Sequence, residues 1–271
     1  MSNSLDLERY FERIGYRGSP RADLETLREV HRRHLYAIPY ENLDVQLERP
    51  VGIDVGPVYH KLVHERRGGW CYEMNGLFSW ALEAIGFRLT RLAAGVGRAS
   101  RGDAAIGNHL AIRVELDRPY LADVGFGDGL IEPIPIEEAT VMQRGFAFRL
   151  ESIGHGWWRL HNHERGGAPS FDFDLHAADR AVLARQCTFL QSAESPFRQV
   201  SVVQRHVEDG VATLRGRVLK RIRSDGVSER VIADREDYVR TLRELFGLEP
   251  PQPDLLWAKA AQQHERFIAV Q

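Results

Sequence analysis

The apolar residues of this chain change their spacing at Gly86, and that change limits the folds open to it. Before Gly86 they recur every three or four positions. Leu7, Tyr10, Phe11 and Ile14 form one stripe, and Leu24, Leu27, Val30, His31, His34 and Leu35 a second. Val55, Val58, Tyr59, Leu62 and Val63 form a third, and Met74, Leu77, Phe78, Ala81, Leu82 and Ile85 a fourth. Such spacing predicts packed amphipathic helices. Beyond Gly86 come short runs rich in strand formers, broken by Gly, Pro, Asn and Asp. The candidate strands are 89–96, 109–116, 120–126, 145–151, 157–161, 170–175 and 199–205, with a helix at 177–185. The tail offers strands near 211–214, 218–223 and 230–233, a helix around 237–246 and a last helix after Pro253. The chain therefore reads as α+β in three regions: an N-terminal helical bundle (1–87), a central antiparallel β-barrel-like region (88–206) and a C-terminal mixed α/β lid (207–271).

The last helix of the first region opens at Cys71, after Arg66-Arg67-Gly68-Gly69-Trp70. Unpaired amides and the macrodipole at a helix start favour thiolate over thiol. Gly68 and Gly69 lack a Cβ, so the backbone can turn sharply and a substrate can come close. By itself the position serves equally well as a small apolar filler. The hairpin downstream shifts the balance. His109 starts one strand, Asp117-Arg118-Pro119 turns it, and Asp123 lies near the end of the returning strand. Antiparallel pairing brings His109 and Asp123 within reach of a side-chain hydrogen bond. An activated nucleophile needs a base and an orienting group, and the chain supplies one candidate for each role.

Composition excludes several other classes. With 271 residues, 43% hydrophobic and 27% charged, the chain is an ordinary globular protein of one large domain or a few small ones. A formal charge of −2 gives no overall field for nucleic acid or an anionic membrane. Met1 is followed by polar residues without a secretory leader, and no apolar run approaches the about 20 residues of a membrane span. Two cysteines, Cys71 and Cys187, make no CxxC pair and no disulfide framework, so a reducing cytoplasm is the consistent compartment. His161 and His163 share a strand face, but a third metal ligand is missing, so no metal site is expected. The run from Gly125 to Gly129 follows a strand without opening a helix, which argues against a dinucleotide fold.

Four blocks together resemble the arylamine N-acetyltransferase family: Ile38-Pro39-Tyr40-Glu41-Asn42-Leu43-Asp44, then Arg67 through Asn75, then Gly107-Asn108-His109, then Asp123-Val124-Gly125-Phe126-Gly127. They stand in the family's order within the first half of the chain. The second half resembles the family only in length and in Ser195-Pro196-Phe197. The resemblance implies a cysteine-protease-like core in which Cys71 carries an acetyl group, with His109 and Asp123 completing a triad. It implies acetyl-coenzyme A as donor, an arylamine, hydrazine or arylhydroxylamine as acceptor, and Phe126 and Gly127 beside the substrate. A thiol hydrolase, or an amide synthase fed by a carrier-bound acyl chain, would use the same three residues. Arg67 and Glu41 are expected to pair and hold the loop through Gly68 and Gly69. The basic run Arg215, Arg217, Lys220, Arg221 and Arg223 reads as a solvated sheet face in preference to a coenzyme A phosphate site. The sequence does not specify an oligomeric state.

Overall fold

The computed structural model describes residues 5–269, with side chains described as far as Glu265. The N-terminal region contains α1 (Leu7–Ile14), α2 (Leu24–Ala37), the two-residue strand β1 (Tyr40–Glu41), α3 (Leu43–Gln46), α4 (Val55–Tyr59) and α5 (Cys71–Ile85). Aspartates open the first two helices: Asp6 accepts the N–H groups of Glu8 and Arg9, and Asp23 that of Thr26. The apolar stripes converge, burying Tyr10, Leu27, Val30, Leu62, Leu77 and Phe78 completely. Ile112, Val114 and Ala122 of the following sheet close the same core, so the helical layer is sealed against one sheet face.

That sheet comprises β2 (Arg88–Val96), then, after the short α6 (Arg98–Arg101), β3 (His109–Glu115), β4 (Pro119–Ala122), β5 (Ile134–Pro135), β6 (Ala139–Gln143), β7 (Phe146–Gly154), β8 (Trp157–His161) and β9 (Ser170–Asp174). Its order is β5-β4-β3-β2-β9-β8-β7-β6, with every neighbouring pair antiparallel. Residues 88–94 of β2 pair with β3, and Gly95 and Val96 pair with β9. One strand shared this way bends the sheet into a nearly closed barrel. The helix α7 (Arg180–Phe189) and the single turn α8 (Pro196–Gln199) lead to the lid. The lid holds β10 (Val202–Val207), β11 (Gly210–Arg215), β12 (Val218–Arg223), β13 (Gly226–Val231), α9 (Arg235–Glu244) and α10 (Pro253–Ala269). β1 reaches across from the helical region to pair with the lid: Tyr40 faces Gln204 and Glu41 faces Val203.

The differences from expectation have local causes. The strand expected at 120–126 stops at Ala122, because the Asp123 carboxylate turns back to accept the Gly125 N–H at 2.7 Å. The strand expected from 199 begins at Val202, because Ser195 caps the turn that Pro196 starts. β6, which was not expected, is an edge strand whose alternation the residue types conceal: apolar Met142 is 65% exposed, while polar Gln143 shares the half-buried face with Val141. Among the described residues, no helix is long and apolar enough to cross a membrane.

Candidate active site

Cys71 is the first residue of α5. The extended Trp70 before it donates its N–H to Glu73 Oε2 at 3.2 Å, and the Glu73 N–H returns to the Trp70 carbonyl at 3.0 Å. The loop ahead of Trp70 is pinned to β1: Gly69 donates to the Pro39 carbonyl and accepts the Glu41 N–H. A Cβ on Gly68 would stand 2.2 Å from the Pro39 oxygen, so only glycine permits this approach.

The expected ion pair is present, with Arg67 Nη2 3.0 Å from Glu41, but it belongs to a larger buried group. Arg67 also bonds Asp44 at 2.9 Å, and Lys61 Nζ reaches Glu73 at 2.9 Å and Asp44 at 3.0 Å. Three carboxylates thus share two buried cations, and the more exposed Arg49 reaches Asp44 at 3.6 Å. Burial first, and Glu41 next, push the Glu73 carboxyl up to about 7 against the pull of Lys61.

His109 starts β3 and donates from Nε2 to Asp123 Oδ2 at 2.5 Å. The Cys71 Sγ donates to the carbonyl of Asn108, the residue before His109, at 3.8 Å, which keeps the thiol beside the start of β3. Burial opposes charge on the ring, yet the carboxylate, its hydrogen bond and the Cys71 sulfur outweigh it and push His109 up to about 10. The other Asp123 oxygen, Oδ1, accepts Asn75 Nδ2 at 2.8 Å and the Gly125 N–H at 2.7 Å. Asn75 lies one helical turn beyond Cys71, so the thiol and the Asp123 carboxylate are indexed to one helix face. It also donates to the Leu110 carbonyl and accepts the Val124 N–H. A Cβ on Gly125 would stand 2.8 Å from the Cys71 Cα, so the loop after Asp123 closes on α5 only as glycine.

Sequence reading missed both Asn75 and His31. His31 Nδ1 donates to the Ile131 carbonyl at 2.9 Å, so its Nε2 is the acceptor for the Asp123 N–H at 3.1 Å. Burial holds His31 down to about 4, which keeps it neutral in that tautomer. The sequence contained one signal for it: a histidine in an otherwise apolar helical stripe.

Cys71 and His109 open onto a cleft of about 480 Å³ to which all three regions contribute, while Asp123 is buried behind the imidazole. Phe126 lines it, its ring 5.6 Å from that of His109, with Tyr40 and Phe197 on other walls. Gly127 does not line it; at φ 74 it packs where a Cβ would meet Gln204 Oε1. Arg101, Arg165, Arg215 and Lys220 supply positive charge to the lining, against the single carboxylate of Asp128. Two of the five residues of the basic run, Arg215 and Lys220, line the cleft, and Lys220 also pairs with Glu229 at 2.9 Å. A turn at Gly216 and Arg217 breaks the alternation, and β11–β12 register turns Thr213 and its partner Lys220 toward the cleft. Arg217 instead binds the Ile232 carbonyl, and Arg223 pairs with Asp209. Asn42 fastens the Ser195-Pro196-Phe197 element to the cleft by donating to the carbonyls of Phe197 and Val200.

Cys187 is a different kind of cysteine. It is buried, its Sγ donates to the Val51 carbonyl at 3.4 Å, and burial pushes its thiol up to about 12. His161 and His163 part company: the first bonds Glu151 at 2.6 Å, and the second stacks 4.3 Å from Phe146. Among the described residues, no group of three or more His, Cys, Asp or Glu is placed to hold a metal.

The chain is similar to known proteins in both sequence and fold. The family model described as N-acetyltransferase matches residues 23–254. The arylamine N-acetyltransferase pineal gland isozyme NAT-3 of Gallus gallus is 32% identical, over 90% of this chain and 94% of its own. That of Mycolicibacterium smegmatis is 42% identical over 56% of this chain and 58% of its own. Among solved structures, the Mycobacterium marinum arylamine N-acetyltransferase in complex with CoA superposes with a TM-score of 0.86 at 29% identity, covering 94% of this chain and 98% of that one. The Salmonella typhimurium enzyme gives 0.85 at 29% identity and the same coverage. The chain belongs to the arylamine N-acetyltransferase family.

Proposed function

We propose that this protein moves an acetyl group from acetyl-coenzyme A to an arylamine, hydrazine or arylhydroxylamine, with Cys71 as the acyl carrier and His109 and Asp123 as its base and orienting carboxylate. One observation carries the reading: Cys71 and the Asp123-bound His109 line one cleft together with four basic side chains. Family membership and the likeness to an enzyme solved with CoA support it.

The chemistry follows from charge. His109, favoured as imidazolium by Asp123, takes the thiol proton, and the thiolate attacks the thioester carbonyl. The Cys71 N–H, free of an intrahelical partner at the start of α5, is the first donor for the oxyanion. Coenzyme A leaves as its thiol with the proton from His109. Thioester exchange is nearly neutral in free energy, so the acyl-enzyme forms readily. The amine then enters the same cleft and attacks the thioester while His109 accepts its proton. Amide formation from a thioester is downhill and sets the direction. The coenzyme A phosphates lie against Arg101, Arg165, Arg215 and Lys220, and the acceptor ring lies against Phe126. Gly127 serves by shaping the turn beside it. Both cysteines are free, and a reducing compartment such as the cytoplasm keeps Cys71 a thiol.

Initial rates with acetyl-coenzyme A and an arylamine test the order. Acetylated amine and parallel double-reciprocal lines are expected. Intersecting lines contradict the shared-cleft order, and peptide hydrolysis without coenzyme A would point to a thiol hydrolase.

A further inference from the structure

Away from the cleft, α1, α2 and the lid enclose a groove of about 620 Å³ that shares no lining residue with the active site. Five arginines and two glutamates line it, a surplus of three positive charges on a chain whose formal charge is −2. Glu29 holds Arg32 and Arg33. The other three arginines, Arg13, Arg66 and Arg205, have no carboxylate within 4 Å among the described residues.

Arg13 is the unusual one. It is only 6% exposed, and every hydrogen bond of its guanidinium goes to a neutral carbonyl: Leu62 at 2.8 Å, Ala37 at 2.7 Å, Arg67 at 3.3 Å and Arg66 at 3.4 Å. Arg205 repeats the pattern, donating to the Tyr36 carbonyl at 2.8 Å and the Leu245 carbonyl at 3.3 Å. Arg66 extends from a left-handed backbone at φ 53 and makes no side-chain hydrogen bond among the described residues. Burial, then the neighbouring Arg66 and Arg205, push Arg13 down to about 10, the mark of cations crowded without a counter-charge. A buried charge ordinarily keeps a partner of opposite sign, and leaving one without it is costly. Planar guanidinium groups converging on one space match the oxygens of a phosphate.

We propose that this groove binds a small phosphate-bearing anion through Arg13, Arg66 and Arg205, at a site separate from the acetyl-transfer cleft. The occupant would act on the active site through backbone. Arg13 holds the carbonyls of Arg66 and Arg67, the two residues that lead into Gly68, Gly69, Trp70 and Cys71. Supplying the missing counter-charge stabilises the clamp on that loop, and with it the entry to α5.

Calorimetric titration with inorganic pyrophosphate in metal-free buffer tests this in four proteins: wild type, Arg66→Glu, Arg66→Ala, and the cleft double variant Arg215→Ala/Lys220→Ala. Because Arg66 makes no side-chain bond, its variants keep the fold, which melting curves check. Wild type and the cleft variant should bind saturably, with pyrophosphate raising their melting temperatures. Arg66→Glu should weaken binding about tenfold or more, with Arg66→Ala intermediate. Absence of saturable binding to wild type overturns the proposal. So does binding that survives Arg66→Glu unchanged, or that the cleft variant weakens as much.

Discussion

Asp123 has its acceptor sites directed at three donors, from His109, Asn75 and Gly125, and its own N–H fixed by His31. A carboxylate held this way orients the imidazole rather than following it. Asp123→Asn would present an amide donor to His109 and select the wrong tautomer. The expected loss in kcat/KM is about 10⁴-fold with little change in melting temperature. His31→Phe keeps a ring but strands the Asp123 N–H and the Ile131 oxygen, so unfolding in urea should show a loss of about 2 kcal/mol or more. The histidines also shape stability against pH, in opposite directions. His31 and His206 lie at about 4 and about 3 in the folded chain, lowered from 6.5 by burial, so their contribution is complete above 6.5 and fades as pH falls toward those values. His109, raised from 6.5 to about 10, contributes fully below 6.5 and loses its share as pH rises through about 10. His31→Phe should therefore flatten the acid limb of urea stability, and His109→Gln the alkaline limb. An unchanged limb in either variant contradicts the corresponding pairing.

The elements that matter most are those that let segments distant in sequence meet. Gly125 lets the loop after β4 touch α5, and Gly125→Ala places a methyl 2.8 Å from the Cys71 Cα and 2.6 Å from Asn75 Nδ2. Melting and kinetics should show a cost of about 1–3 kcal/mol in stability and a larger fractional loss of turnover, since the strain falls between Cys71 and the Asp123 carboxylate. Periodicity made the helical stripes and most strands legible, because one buried face leaves a regular imprint. The His109 hairpin was legible because a Pro turn fixes its register. β6 was not, because on this edge strand apolar Met142 faces out and polar Gln143 faces in, which masks the alternation. His31 and Asn75 were not, because their partners lie 92 and 48 residues away and no local pattern encodes such a contact. The buried charges of Lys61, Asp44 and Glu73 were hidden for the same reason, although the Arg67–Glu41 pair at their centre was foreseen.

At the scale of the whole molecule, the cleft exists only because helices, barrel and lid meet around it. The lid's Arg215 and Lys220 line the same cleft as Cys71 on α5 and His109 on β3. Which face of β12 turned inward was invisible in sequence, since lid register depends on pairing with β1 and not on local alternation. If these cations hold the coenzyme A phosphates, Arg215→Ala/Lys220→Ala should raise KM for acetyl-coenzyme A about tenfold or more while kcat changes little. Salt should raise the wild-type KM more than the variant's. Equal salt dependence in the two proteins would contradict that placement.

Intact-protein mass spectrometry after incubation with acetyl-coenzyme A, without an acceptor amine, tests the central claim most directly. One added acetyl group is expected, located on Cys71 by peptide mapping, absent from Cys71→Ala, retained in Cys187→Ser and discharged by an arylamine. An unmodified protein, or an acetyl group mapped to any other residue and still formed in Cys71→Ala, would contradict it.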